Sequence, residues 1–252
     1  MKKLVLSALA SAMLCAAANA AALTDPFFMT KQGEVLSDTY LAFTNNAIRE
    51  GDSWALTENI NMGAMDNLMV GLSVGWVDMK HQNGSLQDFA VNATYRFFDG
   101  LADGYFLDLE AYFSPKMFKS PYNGDNGSAK GSNDIGVFGH IGSAEILQNF
   151  TLAARVGLEY VSHTDYVSSG TILSLQGLAK YYINNIHSLE AYITLKSYMG
   201  FEKSVAAYGL GIDYAFEAIP EHLALVPYLY FECHNRDIAT SSHWGLKARY
   251  LF

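Results

Sequence analysis

Cysteine and proline are scarce in this sequence, 2 and 5 residues of 252, and charged residues make up only 16%. One cysteine, Cys15, lies in the first twenty residues and the other is Cys233, so a chain that loses its leader cannot close an intramolecular disulfide. Half of all residues are hydrophobic, yet beyond the leader no apolar run approaches the roughly 18 residues that a membrane helix needs. Lysine and arginine number 16 against 25 acidic residues, so the basic footprint of a nucleic-acid binder is missing. Metal-ligand spacings are absent as well, and no cofactor is expected.

What is present begins with a leader. Lys2 and Lys3 precede an apolar run from Leu4 that ends at the small-residue site Ala18-Asn19-Ala20; residues 1–20 therefore read as a cleaved signal peptide. A lipoprotein signal fits less well, because Ala12-Met13-Leu14 lacks the small residue expected just before a lipidated cysteine. Removing Lys2 and Lys3 takes the formal net charge from −9 to −11.

The apolar residues are spread by alternation. In His243 to Phe252, Trp244, Leu246, Ala248, Tyr250 and Phe252 fall on one side of an extended strand, with His243, Gly245, Lys247 and Arg249 on the other, because strand side chains alternate with period two. Aromatics at both ends of an apolar face are the girdle pattern of a strand crossing a bilayer in a closed barrel. The same alternation runs through Val35 to Phe43, Trp54 to Ala64, Leu68 to Asp78, Asp88 to Phe97, Tyr105 to Phe113, Asp134 to Gly142, Thr151 to Tyr160, Ile172 to Tyr182, Ser188 to Met199, Ala206 to Phe216 and Leu223 to Cys233. Glu58, on an apolar face, interrupts it. A soluble sandwich also alternates, but the export signal and the aromatic strand ends favour an all-β, closed antiparallel transmembrane barrel of about twelve strands.

Residues 21–32 then form a short irregular periplasmic segment and residues 33–252 the barrel. Short even-numbered and long odd-numbered connections assign the same sidedness, with both termini inside; one odd connection, Gly200 to Ser204, is short and breaks the trend, which leaves ten or fourteen strands as alternatives. The longest connection, Ser114 to Asn133, carries Lys116, Lys119 and Lys130 among Gly124, Gly127 and Gly131. Folded back, its lysines would meet Asp108, Glu110 and Asp134.

Chemistry falls to the inward face. The residues expected to line the lumen are Asp88, Arg96, Asp108, Glu110, Asp134, Arg155, Glu159, Lys180, Glu190, Lys196, Asp213, Glu232, Lys247 and Arg249, with Tyr192, Tyr228 and Tyr230. Acids gather on the fourth to sixth strands and bases on the seventh to ninth, which would set a field across the pore. The inward tyrosines either fill space or form a slide for amphipathic solutes. No catalytic trio emerges around His140, and His81, His163, His187, His222, His234 and His243 read as solvated surface residues.

The final strand, ending on Phe252, resembles the closing strand of bacterial outer-membrane barrels, which implies a Gram-negative source and makes Phe252 the signal read by the barrel-assembly machinery. The segment from Gly33 through Trp76, with Asn59 to Met62 and then Asp66-Asn67-Leu68-Met69-Val70-Gly71-Leu72, resembles the opening hairpins of a family of outer-membrane transporters associated with meta-pathway phenol degradation. By strand number the chain is also similar to twelve-stranded monomeric channels for nucleosides or acidic sugars, although the latter have a strongly basic lumen. These readings imply a porin-like outer-membrane channel passing small solutes through a narrow, mixed-charge, Tyr-rich lumen, in contact with outer-membrane lipid and lipopolysaccharide. A closed structural or surface-interaction barrel is the alternative, with a lipid-modifying enzyme behind it.

Overall fold

The computed structural model describes residues 23–46, 52–79, 85–86, 89–99, 104–117, 132–147, 149–163, 168–201, 205–235 and 241–252. The leader, Asp88 and most of the connection from Ser114 to Asn133 lie outside them.

The described chain forms one antiparallel sheet of thirteen strand segments. These are β1 Val35–Asn46, β2 Ser53–Met65, β3 Leu68–Met79, β4 Ser85–Leu86, β5 Ala90–Phe98, β6 Phe106–Ser114, β7 Asp134–Leu147, β8 Phe150–Val161, β9 Gly170–Tyr182, β10 His187–Met199, β11 Val205–Ile219, β12 Leu223–His234 and β13 Ser241–Leu251. Both β4 and β5 pair with β3, so they are two pieces of one stave and the barrel has twelve. The alternation from Asp88 to Phe97 predicts that stave as one strand; it starts earlier, at Ser85, and is interrupted before Ala90. β7 runs on to Leu147, past the Gly142 at which alternation suggested an end.

The sheet closes on itself. β1 pairs with β13 from Leu36↔Leu251 to Asn46↔Ser241 while also pairing with β2. Closure leaves no open edge, the condition under which strands can cross hydrocarbon, where an unpaired backbone group costs several kcal/mol. Register shifts at Gly63/Met65, Arg96/Phe98, Ala144/Leu147 and Glu217/Ile219 cluster at the end of the barrel where both termini lie. That end also carries tight connections such as Asp66-Asn67.

The outer face is apolar between two aromatic belts. Phe43 stacks on Trp244 at 4.4 Å between centroids, and with exposed Trp54 and Trp76 marks the end away from the termini. Tyr95 with Phe97, Phe150 with Tyr181, and Tyr250 with Phe252 mark the terminal end, at 4.6 to 4.8 Å. Glu58, the interruption on this face, has a local account: its carboxylate accepts hydrogen bonds from Ser37 and Thr39 of β1.

Phe252 is 71% exposed on the outer face, and its amide donates to the Val35 carbonyl at 2.9 Å. Replacing it with Asp is expected to cut the yield of folded barrel, measured as heat-modifiable band in outer-membrane fractions. Wild-type yield would remove Phe252 from the assembly signal. At mid-wall, Ile212→Arg is expected to cost about 2–4 kcal/mol, read from denaturant unfolding in vesicles.

Candidate functional site

Inside the barrel lies a cavity of about 400 Å³. Its wall comes from strands all round the barrel, and the N-terminal segment enters it. The irregular residues before β1 thus tuck into the terminal end of the lumen. Gly33, at φ +85°, and a bridge between Gln32 and Gly63 set the reversal into β1. A side chain at Gly63 would stand 2.0 Å from the Lys31 carbonyl oxygen, so the segment passes where only glycine leaves room.

Three barrel cations fasten this segment through its backbone. Arg249 donates to both oxygens of Asp38 at 2.7 and 2.9 Å and to the Leu23 carbonyl at 2.8 Å. Arg96 donates to both oxygens of Asp108 at 2.8 Å and also to the Phe27 carbonyl. Lys180 donates to the Thr24 carbonyl and lies 3.7 Å from Glu190. Tyr182 donates to Asp25 at 2.6 Å. The Phe27 ring stacks on Phe106 at 4.9 Å and occupies the space that a side chain at Gly142 would need. Leu23 is wholly buried beside Leu36 and Ala224.

The sequence marked Arg96, Lys180 and Arg249 as lumen residues, but not the segment they hold. A signal was there: Phe27-Phe28 is an apolar pair without alternation partners, and such a pair needs cover.

Farther along the wall, Glu110 is 3.0 Å from both His140 Nε2 and Arg155 Nη2, and Arg155 lies 3.8 Å from the centroid of Phe138. Lys196 pairs with Glu232 at 2.8 Å, and Glu232 also accepts from Tyr230 at 2.8 Å. Asp134 accepts from Ser132 at 2.7 Å, and Glu159 bonds to Tyr112. Glu190 and Asp213 face each other across β10 and β11. Lys247 stands over the ring of Tyr40 at 5.2 Å.

These contacts change two sequence expectations. A field between acidic and basic sectors does not develop, because Arg96 sits directly opposite Asp108 and Arg155 reaches Glu110 over His140, so charges cancel between neighbouring strands. Lys119 and Lys130, expected to meet Asp108, Glu110 and Asp134 if the longest connection folds back, lie outside the described residues. His234 and His243 are not solvated surface residues: His234 lies 3.3 Å from Glu232, and His243 contacts Thr44 at 3.0 Å and Ser241 at 2.9 Å.

Three inward aromatics lie flat on the wall, each over a glycine of the facing strand. Tyr112 covers Gly136, Phe138 covers Gly157 and Tyr192 covers Gly211; a Cβ at any of these glycines would meet the ring at 2.1 to 2.3 Å. Tyr192 and Tyr230 stack at 5.9 Å, and the Tyr228 hydroxyl reaches over Gly245. Space filling and wall lining are thus one arrangement: these rings fill the pleat against the wall. A neutral arc, Asn59, Asn61, Asn92 and Thr94, completes the lining. The ring of His140 meets Glu110 and Arg155 rather than a hydroxyl nucleophile.

No protein-family model and no curated sequence matches the chain. Solved structures do. The fold is similar to the COG4313 outer membrane channel from Pseudomonas putida F1, with TM-score 0.75 and 10% identity over 90% of this chain and 98% of that one. It is similar to the NanC porin at TM-score 0.57, with 12% identity over 85% and 98%. It is similar to the KdgM porin at TM-score 0.52, with 11% identity over 83% and 97%. Together with the lipid-facing band, this fold places the chain in the outer membrane.

Because Asp38 neutralises a buried guanidinium, Asp38→Ala is expected to destabilise the barrel by about 3–5 kcal/mol. The paired change Asp38→Leu with Arg249→Met is expected to recover most of that loss, in denaturant titrations of the refolded protein. Equal losses in the single and paired variants would refute the pairing.

Proposed function

We propose that the chain is an outer-membrane channel for passive passage of small solutes, narrowed at its terminal end by the N-terminal segment. The observation that carries this reading is the 400 Å³ cavity within the barrel, walled by ion pairs and amides. A barrel of eight strands fills its interior with side chains, and one of sixteen leaves a wide aqueous pore; twelve staves fall between. The flat aromatic rings and the cross-strand ion pairs support the same reading, since both keep polar side chains on the wall. The similarity to channel folds is consistent with it.

The fastening of residues 23–30 favours a second reading, a closed barrel in which that segment is a permanent plug. Electrical recording separates the two. In planar bilayers the mature chain is expected to give discrete conductance steps, and deletion of residues 21–30 is expected to enlarge them, on the order of twofold for a segment filling much of a twelve-stranded lumen. A silent wild type that conducts only after the deletion supports the plug. Silence in both, with heat-modifiable folding intact, defeats the channel.

A further inference from the structure

The lumen leaves two of its charged side chains without an ion pair at contact distance, and they name a solute class; the inference rests on the channel reading above. Most ionic side chains around the cavity are held. Asp38 pairs with Arg249, Asp108 with Arg96, and Glu110 with Arg155, all at 3.0 Å or less. Asp25 accepts from Tyr182 at 2.6 Å and from the Phe27 amide at 2.8 Å. Lys180 is shared between Glu190 and the Thr24 carbonyl.

Asp213 and Lys247 remain. Among the described residues neither closes an ion pair, and both border the cavity. Asp213 takes a hydrogen bond from Tyr192 while its Oδ1 has no partner. It lies directly across from Glu190, whose other neighbour is Lys180. Like charges directly opposite on a sheet are destabilising, and Lys180, the one ammonium within ion-pair distance of this pair among the described residues, is already divided. The acidic edge is short of a positive charge. Lys247, on β13, lies two strands away across β12, which contributes Val226 and Tyr228 to the wall between. The residue in line with Asp213 on β13 is Gly245, and Lys247 lies two residues beyond it; two strand spacings and two residues of rise set the two backbones roughly 12 Å apart, and their side chains face one cavity.

We propose that this cavity is a site for small zwitterions, meaning free α-amino acids or betaine-type solutes, with the ammonium at the Asp213–Glu190 edge and the carboxylate at Lys247. A simple anion would meet the acid pair, a simple cation would meet Lys247, and a neutral solute would leave both unmatched. The arc of Asn59, Asn61, Asn92 and Thr94 offers the remaining polar groups a neutral hydrogen-bonding surface.

Four solutes of one shape test this: L-alanine, L-lactate, L-alaninamide and L-lactamide, a zwitterion, an anion, a cation and a neutral molecule. Entry into proteoliposomes holding the mature chain is measured for each. Alanine is expected to enter about fivefold faster than the others, the weight of one solvent-screened ion pair. Asp213→Asn is expected to bring alanine down to lactamide, and Lys247→Met to move the preference to alaninamide, with folding checked by heat modifiability. Equal entry of all four through a conducting wild-type channel overturns the zwitterion site and leaves the channel standing. An alanine preference that survives both substitutions overturns the assignment to these residues. Absence of both flux and conductance sinks the channel and this inference together.

Discussion

Every backbone N–H and C=O in hydrocarbon must be paired within the protein, and the β1–β13 seam is where this chain meets that condition. Without that seam, Val35–Asn46 and Ser241–Leu251 would be open edges facing lipid. Closure at twelve staves then constrains the interior. It is too wide for side chains to fill from wall to wall, so most of its charged groups pair with one another along the wall. The wall shows this in detail: Asp38 faces Arg249, Arg96 faces Asp108, and Glu190 faces Lys180, each across one ladder.

The pleat that enforces alternation also spaces the glycines. A ring as large as Phe138 can lie flat because its facing residue, Gly157, has no side chain, and Arg155 then rests on that ring. Adding a methyl group at Gly157 would push the ring toward the axis and dislodge the guanidinium that balances Glu110. Wall packing and charge balance are therefore set by the same few glycines.

Most of the fold was legible in the sequence because period-two alternation is local. The last strand alone, from Trp244 to Phe252, carries its face, its girdles and its end. The bulges were not legible: alternation stops at Gly142, whereas pairing of β7 continues past it to Leu147. The candidate site was legible as a set of inward charges but not as a set of pairs. Partners such as Glu110 and Arg155 lie on non-adjacent strands and meet only through the register of β6, β7 and β8. The N-terminal segment escaped for a different reason. It has no period; what places it is tertiary, a backbone that offers carbonyls to Arg96, Lys180 and Arg249.

Each of these three cations is balanced by an acid of the barrel wall, and the segment takes only the donor directions left over. Were the segment to leave, Asp38 would still hold Arg249, Asp108 would still hold Arg96, and Glu190 would remain beside Lys180. No charge would be stranded in the lumen, and stranding one is the costly event, at several kcal/mol. The loss would instead comprise hydrogen bonds from charged donors, about 1.5–3 kcal/mol each net of the water that replaces them, plus the Phe27–Phe106 stack and the burial of Leu23. Seating of the segment is therefore held by these hydrogen bonds and its apolar contacts together, and the stability of the barrel is separable from whether its terminal end is stopped.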